Sequence, residues 1–347
     1  MVGYSVIMKK ALFVNESQYL VKLFWKEEFH ELAKKYDISV HVPAWDGDIK
    51  DYDWAAVLLD YDVAITAWWS PLCSAEFLKT AEKLQLIAHA AGSVGSIVDD
   101  STYDAGLRVT SCNYIMAEGV ALGALFNTLW AWRNLPAYAK IGDLCPLRWE
   151  QRTLSRNSKE MTVGIWGYGH IAQHLVRMMR GLPFKEILVY CDHVSPEEMA
   201  SHGATLAGSL DEVFEKSDVI HLCAGANEQT FGMVDARLLA KIKDGATFIN
   251  AGRAKLVDRD ALYAEAAKNR FQIILDVHYK EPPDADDPIL SFSNVVFTPH
   301  NSGNRETLEY IPFLFEEIAR FYKGEPMLGE ISRDRRIVMT DERKATA

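Results

Sequence analysis

Cysteine is scarce in this 347-residue chain: Cys73, Cys112, Cys145, Cys191 and Cys223 are scattered, odd in number and never spaced as CxxC. A disulfide framework and a zinc ribbon are therefore disfavoured, and no metal site is expected. The same usage points to a reducing compartment, and cytoplasmic placement is the expectation. No run of 18 consecutive apolar residues occurs, so no membrane span is expected. Lys9 and Lys10 are followed by only a four-residue apolar run, too short for the core of a signal peptide. Positive charge is also in deficit, with 37 Lys and Arg against 48 Asp and Glu for a net charge of −11. A surface of that balance repels a phosphate backbone, so nucleic acid is not an expected partner. Internal repeats and low-complexity tracts are absent as well.

What remains is an ordinary globular composition, 49% hydrophobic and 24% charged. The length suggests about two domains, each large enough to bury a core. Short apolar runs at 11–14, 38–42, 63–66 and 86–89 read as strands, and 18–35 and 75–84 carry apolar residues at helical spacing. Residues 117–132 form the most apolar helix candidate, and the polar stretch 142–159 reads as a boundary or an extended arm. From Met161 the alternation restarts. Strands are expected at 162–166, 187–191, 219–222, 247–250, 273–275 and 295–297, with helices at 171–180, 210–216, 236–242 and 259–268. A further helix at 306–322 is long enough to return to the first domain, and the polar residues from Arg336 onward read as a loosely held tail. The fold class is α/β, with two doubly wound parallel-sheet domains.

Residues 162–172, TVGIWGYGHIA, place Gly167-x-Gly169-x-x-Ala172 between a strand and a helix. Gly167 permits the tight turn, Gly169 lets a pyrophosphate approach the backbone, and Ala172 is small enough for close helix–strand packing. His170 and Ile171 open the helix whose amides would face that pyrophosphate. Asp192 ends the next strand, where a carboxylate accepts hydrogen bonds from ribose hydroxyls and repels a 2′-phosphate. NAD is thus favoured over NADP. A helix-capping Asp on a generic α/β turn is the plainer alternative, and the agreement of all four positions weighs against it.

Three further segments fall at expected strand ends, where such folds place their chemistry. FINAGRAKLVD carries Ala251 and Arg253, ILDVHYKEPP carries Asp276 and Glu281, and VVFTPHNSG carries His300. An arginine offers a bidentate fork to a carboxylate and a positive charge beside a ketone. A histidine moves a proton near neutral pH, and an adjacent carboxylate holds its tautomer. Taken singly, each residue is more often an ion-pair arginine, a solvated loop glutamate or a structural histidine; their order and spacing shift that weighting.

With these segments in this order, the chain resembles the D-isomer-specific 2-hydroxyacid dehydrogenases across residues 85–323. The resemblance implies a Rossmann NAD-binding domain over 113–305 and a flavodoxin-like, discontinuous substrate domain formed by 1–112 with 306–335, leaving 336–347 as a tail. It implies hydride transfer between NAD(H) and a small 2-oxo or D-2-hydroxy acid. Arg253 corresponds to the family's substrate-orienting arginine, His300 to its acid/base and Glu281 to the partner carboxylate, and Asp276 to the aspartate that contacts the nicotinamide carboxamide. The substrate loop falls on AAGSVG, with the amides of Ser93, Val94 and Gly95 as carboxylate donors; a plain strand-to-helix turn weighs about equally. A homodimer formed through residues 117–159 is also implied.

Departures from the family pattern are present. The first loop reads GSVGSIVDD instead of GxGxDN, Ala254 follows Arg253 where glycine is usual, and Cys223-Ala224-Gly225 replaces a His-x-Pro stretch. Trp68 and Trp69 follow a strand end, where they either limit substrate size or simply pack. Only 24 residues follow Lys323, too few for an added regulatory domain. Two other activities share the fold: an NAD-responsive corepressor-like module with little turnover, and a formate dehydrogenase, in which glutamine is expected at the place of Glu281.

Overall fold

The computed structural model describes residues 8–44, 53–135, 157–303, 307–341 and 343. Two compact units divide the chain: Met1–Met116 with Arg305–Ala347, and Ala117–Asn304. Cys145, residue 306 at the start of the return helix, and residues 136–156 of the expected dimerisation arm lie outside the described residues.

The first unit holds a five-stranded parallel sheet of β1 (Lys9–Val14), β2 (Ile38–His41), β3 (Val63–Thr66), β4 (Leu86–His89) and β5 (Arg108–Ser111), in the order β2-β1-β3-β4-β5. Its central strands are buried on both faces, which is why they read as continuous apolar runs. Alternation still sorts the side chains by face. Ala11 and Phe13 join one core with Phe24, Trp25 and Phe315, while Leu12 and Val14 join another with Trp54, Ile87 and Val98. The return helix Tyr310–Lys323 supplies Ile311, Leu314 and Ile318 to the first of these cores, which makes the unit discontinuous in sequence.

The second unit holds a seven-stranded parallel sheet. Its strands are β6 (Thr162–Trp166), β7 (Glu186–Tyr190), β8 (Thr205–Leu206), β9 (Val219–Leu222), β10 (Thr247–Asn250), β11 (Gln272–Leu275) and β12 (Val295–Phe297). Their order is β12-β11-β10-β9-β6-β7-β8, so the chain leaves β6 toward β7 and resumes at β9 on the other side. The loops after β6 and β9 therefore diverge, and that topological switch point is where doubly wound sheets bind nucleotides. Helices between the strands start on side-chain caps: Ser195, Ser209, Asp235 and Asp258 each accept the amide three residues on.

Three expectations are corrected. The helix expected over 18–35 is two, Gln18–Phe24 and Glu28–Lys34, because Trp25 turns extended and buries its ring edge-on against Phe13 and Phe29. Strands β5 and β8 were not read from the sequence: the first, RVTS, carries a single apolar residue, Val109, and the second is two residues long. The stretch from Arg336 is not loose through Asp341, whose side chain is buried. The helix Asn113–Trp132 is long and apolar enough to cross a membrane by length and composition. In this fold its Ala121, Ala124 and Ala131 pack into a core with Val163 and Ile165.

His89 in the first unit and His221 in the second are buried histidines. His89 lies 2.9 Å from Thr66 Oγ1 and His221 2.8 Å from Thr128 Oγ1, and burial pushes both down to about 3. An unfolded histidine titrates near 6.5, so between those values the unfolded chain binds the extra proton and stability falls as pH drops. Each histidine should cost about 1.5 kcal/mol between pH 6.5 and 5. In urea unfolding, His221→Gln should show that much less acid destabilisation than the unsubstituted chain; an identical pH dependence would contradict the neutral buried ring.

Candidate active site

The turn after β6 is built around two glycines with different jobs. Gly167 has φ +93°, and a Cβ there would stand 2.7 Å from the Ala224 nitrogen and 2.8 Å from its Cα. The turn and the segment after β9 thus approach too closely for any side chain at Gly167. That contact also gives the Cys223-Ala224-Gly225 stretch its role, since it forms the wall against which the turn closes. Gly169 caps the helix His170–Met179, and a Cβ there would meet no atom within 4 Å. Open space thus faces a helix amino terminus whose first amides belong to His170 and Ile171, an arrangement that suits a phosphate. Asp192 stands two residues past β7 with its carboxylate 96% exposed, available to a ribose diol. These features fit a dinucleotide.

Strands β10, β11 and β12 are neighbours, and the loops at their carboxyl ends carry the three expected catalytic residues. Ala251 follows β10 directly. Buried Asn250 fixes this loop, its amide donating to the Arg253 carbonyl at 2.9 Å and its oxygen accepting from the Gly252 amide at 3.1 Å. Arg253 is half-buried, with its guanidinium donating to the Gly252 carbonyl at 2.9 Å. Ala254 opens a 3₁₀ turn, Ala254–Leu256, at negative φ, so the usual glycine is not needed there.

His300 and Glu281 come together. Nδ1 of His300 lies 2.7 Å from Glu281 Oε2, with both side chains partly open to solvent. The other glutamate oxygen accepts the His278 amide at 2.9 Å, so the carboxylate is braced from behind. His278 in turn contacts the Lys280 carbonyl through Nδ1 at 2.8 Å and lies 3.5 Å from Asp287, which also accepts from Tyr263. His278, Tyr263 and Asp287 were missed in the sequence, where nothing marks three separated polar residues as one support.

Asp276 directly follows β11. It is 2% exposed, and its Oδ1 accepts from Thr298 Oγ1 at 2.5 Å and the Asn301 amide at 2.9 Å. Oδ2 accepts the Ser302 amide at 2.8 Å. The carboxylate is therefore turned toward the His300 loop. That grip brackets His300 on both sides and accompanies its left-handed backbone, φ +49°. Charge-assisted bonds of this kind are the strong ones, and leaving their donors unpaired is costly.

The loop expected to bind a carboxylate lies in the first unit, after β4. Its amides are not equivalent. The Gly95 amide donates to Ser93 Oγ at 3.3 Å, whereas the Ser93 and Val94 amides have no acceptor among the described residues. Asp99 of the same segment caps the helix Asp100–Asp104. Of the two tryptophans, Trp68 packs edge-on against Phe24 at 5.1 Å, while Trp69 is 73% exposed at φ +59°. Among the described residues, no group of three His, Cys, Asp or Glu side chains could hold a metal ion.

The grip of Asp276 is testable directly. Asp276→Asn turns an NH2 group toward one of the two backbone donors. Hydrogen exchange at Asn301 and Ser302 should accelerate by about tenfold or more. Unchanged exchange at both amides would contradict the clamp.

Residues 125–302 match the family model described as D-isomer specific 2-hydroxyacid dehydrogenase, NAD binding domain. A glyoxylate reductase of Korarchaeum cryptofilum is 27% identical over 272 residues, covering 77% of this chain and 81% of that one. A mitochondrial formate dehydrogenase of Oryza sativa is 30% identical over 275 residues, covering 77% and 72%. A phosphoglycerate oxidoreductase from Rhizobium etli shares the fold, with a TM-score of 0.74 at 22% identity over 94% of this chain and 99% of that one. The chain spans about half the length of the D-3-phosphoglycerate dehydrogenases that it matches, 49% of that from Archaeoglobus fulgidus. The matched segment contains the turn after β6, Arg253, Glu281 and His300, and the chain belongs to the D-isomer specific 2-hydroxyacid dehydrogenase family, with an NAD-binding domain in its second unit.

Proposed function

We propose that the protein interconverts a small 2-oxo acid and the D-2-hydroxy acid with NAD(H), in the manner of a glyoxylate or hydroxypyruvate reductase. The observation that carries this reading is the 2.7 Å pairing of His300 Nδ1 with Glu281 Oε2 on the loops beside Arg253. The bound dinucleotide supplies the hydride at C4 of its nicotinamide. Arg253 forks onto the substrate carboxylate and polarises the carbonyl, a task that needs a planar guanidinium. Glu281 holds the imidazole through Nδ1, which leaves Nε2 to give a proton to the developing alkoxide. Asp276 keeps the histidine loop in register, and the amides of Ser93 and Val94, with Gly95 shaping the turn, receive the substrate carboxylate.

Asp192, with its carboxylate on the ribose hydroxyls, supports NAD over NADP. The carboxylate at Glu281, where a formate dehydrogenase is expected to carry glutamine, favours a 2-oxo acid over formate. Exposed Leu122 and Phe126, 59% and 60% accessible on the helix Asn113–Trp132, support a homodimer through that face. The reading also includes a cytoplasmic setting, in keeping with free Cys73, Cys112, Cys191 and Cys223.

Steady-state and binding measurements test the assignment. His300→Ala should lower kcat by about a thousandfold while the NADH Kd stays within about twofold. Loss of NADH binding with turnover would show that the histidine serves the cofactor. The unsubstituted chain should prefer NADH to NADPH by about a hundredfold in kcat/KM, and Asp192→Ala should erase most of that ratio. Equal use of both cofactors before substitution would refute the role of Asp192.

A further inference from the structure

The carboxyl-terminal segment of the first unit runs onto the Ser93–Gly95 loop. It is led there by a chain of fixed points. Buried Glu317 accepts Thr110 Oγ1 at 2.9 Å and the Leu328 and Gly329 amides at 3.0 and 2.8 Å. Ile331 donates its amide to Val109 at 2.9 Å, and Arg108 forks onto Glu330 at 2.6 and 2.7 Å. Arg333 pairs with Asp104, and Arg336 with Asp100 at 3.0 Å. Met339 then packs against the core that contains Val94, Ile97 and Val98.

The contact with the loop is close. Ser93 Oγ donates to the Thr340 carbonyl at 2.6 Å, and Arg343 donates to the Gly95 carbonyl at 2.6 Å. The same guanidinium forks onto Asp341, Nε to Oδ1 at 3.1 Å and an NH2 group to Oδ2 at 3.2 Å. Gly95 is the decisive position. A Cβ there would lie 2.2 Å from the Thr340 oxygen, yet its φ is not in the left-handed region. The glycine is therefore required by this chain's own approaching backbone and not by the turn. The contacts consume the Ser93 hydroxyl and the Gly95 carbonyl but leave the Ser93 and Val94 amides unspent.

We propose that Met339, Thr340, Asp341 and Arg343 form a built-in latch that holds the Ser93–Gly95 loop in its ligand-binding conformation, with Asp341 and Arg343 as positioning residues. The inference rests on the reading of that loop as the carboxylate site. Fixing two amides in advance removes the entropy of ordering them when the anion binds, so the latch acts on substrate affinity and leaves the chemical step alone.

A double-mutant cycle in the full chain tests it. Asp341→Ala with Arg343→Ala should raise KM for the 2-oxo acid by about tenfold, with kcat and the NADH Kd within about twofold. Gly95→Ala should raise KM comparably in the unsubstituted chain but by less than about threefold on the Asp341→Ala, Arg343→Ala background. An unchanged KM in the double variant, or an equal cost of Gly95→Ala in both backgrounds, would overturn the latch. If the unsubstituted chain reduces no 2-oxo acid, the proposed activity fails separately. Amide exchange at Val94–Ser96 then decides the latch, with faster exchange in the double variant upholding it and unchanged exchange overturning it.

Discussion

One buried carboxylate organises the chemistry of the second unit. Asp276, at the end of β11, accepts a hydroxyl and two amides from the segment that follows β12. Without an anion there, Thr298, Asn301 and Ser302 would lose the acceptor on which their three donors converge. With it, the neighbouring strand ends become a single rigid edge. His300 is held between the clamped residues, and Glu281, five positions beyond Asp276, reaches it from the same loop. Asn250 does the equivalent work one strand over, with its side-chain amide bonded to the loop that carries Arg253.

The first unit uses the same device for another purpose. Glu317 lies fully buried in the return helix and gathers Thr110 with two amides of the segment behind it. A buried charge is weak evidence for stability, but a slip of the segment would strand it with its donors unpaired. Here it sets where the chain turns back along β5, and so where Met339, Thr340 and Asp341 arrive. The glycines record the result: Gly329 and Gly95 each stand where another segment's carbonyl lies within 2.3 Å of a would-be Cβ.

Much of this was legible in the sequence because parallel strands buried on both faces are continuous apolar runs, and VAIT, LIAH, VIHL and TFIN bound themselves. The turn at Gly167 was legible because its spacing from a strand end carries the chemistry, and the pairing of His300 with Glu281 was implied by the family resemblance. Less was visible where long-range packing decided. Trp25 breaks a helix that periodicity favours because Phe13 and Phe29 offer its ring a better place. Asp276 has the composition of a ligand-facing residue, and only the fold shows donors converging on it. The loop AAGSVG read as a set of carboxylate donors or a plain turn, whereas at Gly95 the fold shows the backbone of Thr340 where a side chain would be. The segment from Arg336 looked loose because its partners, Asp100, Ser93 and Gly95, lie more than two hundred residues earlier.

The central claim is that these loops perform a proton-coupled hydride transfer on a 2-oxo acid and are not merely an NAD-responsive surface. Oxidation of NADH by the purified chain across glyoxylate, hydroxypyruvate, pyruvate and bulkier 2-oxo acids tests it most directly. The account predicts that at least one small acid is reduced with kcat/KM of about 10⁴ M⁻¹s⁻¹ or more, giving the D-hydroxy product. Tight NADH binding with no turnover on any of them would contradict it.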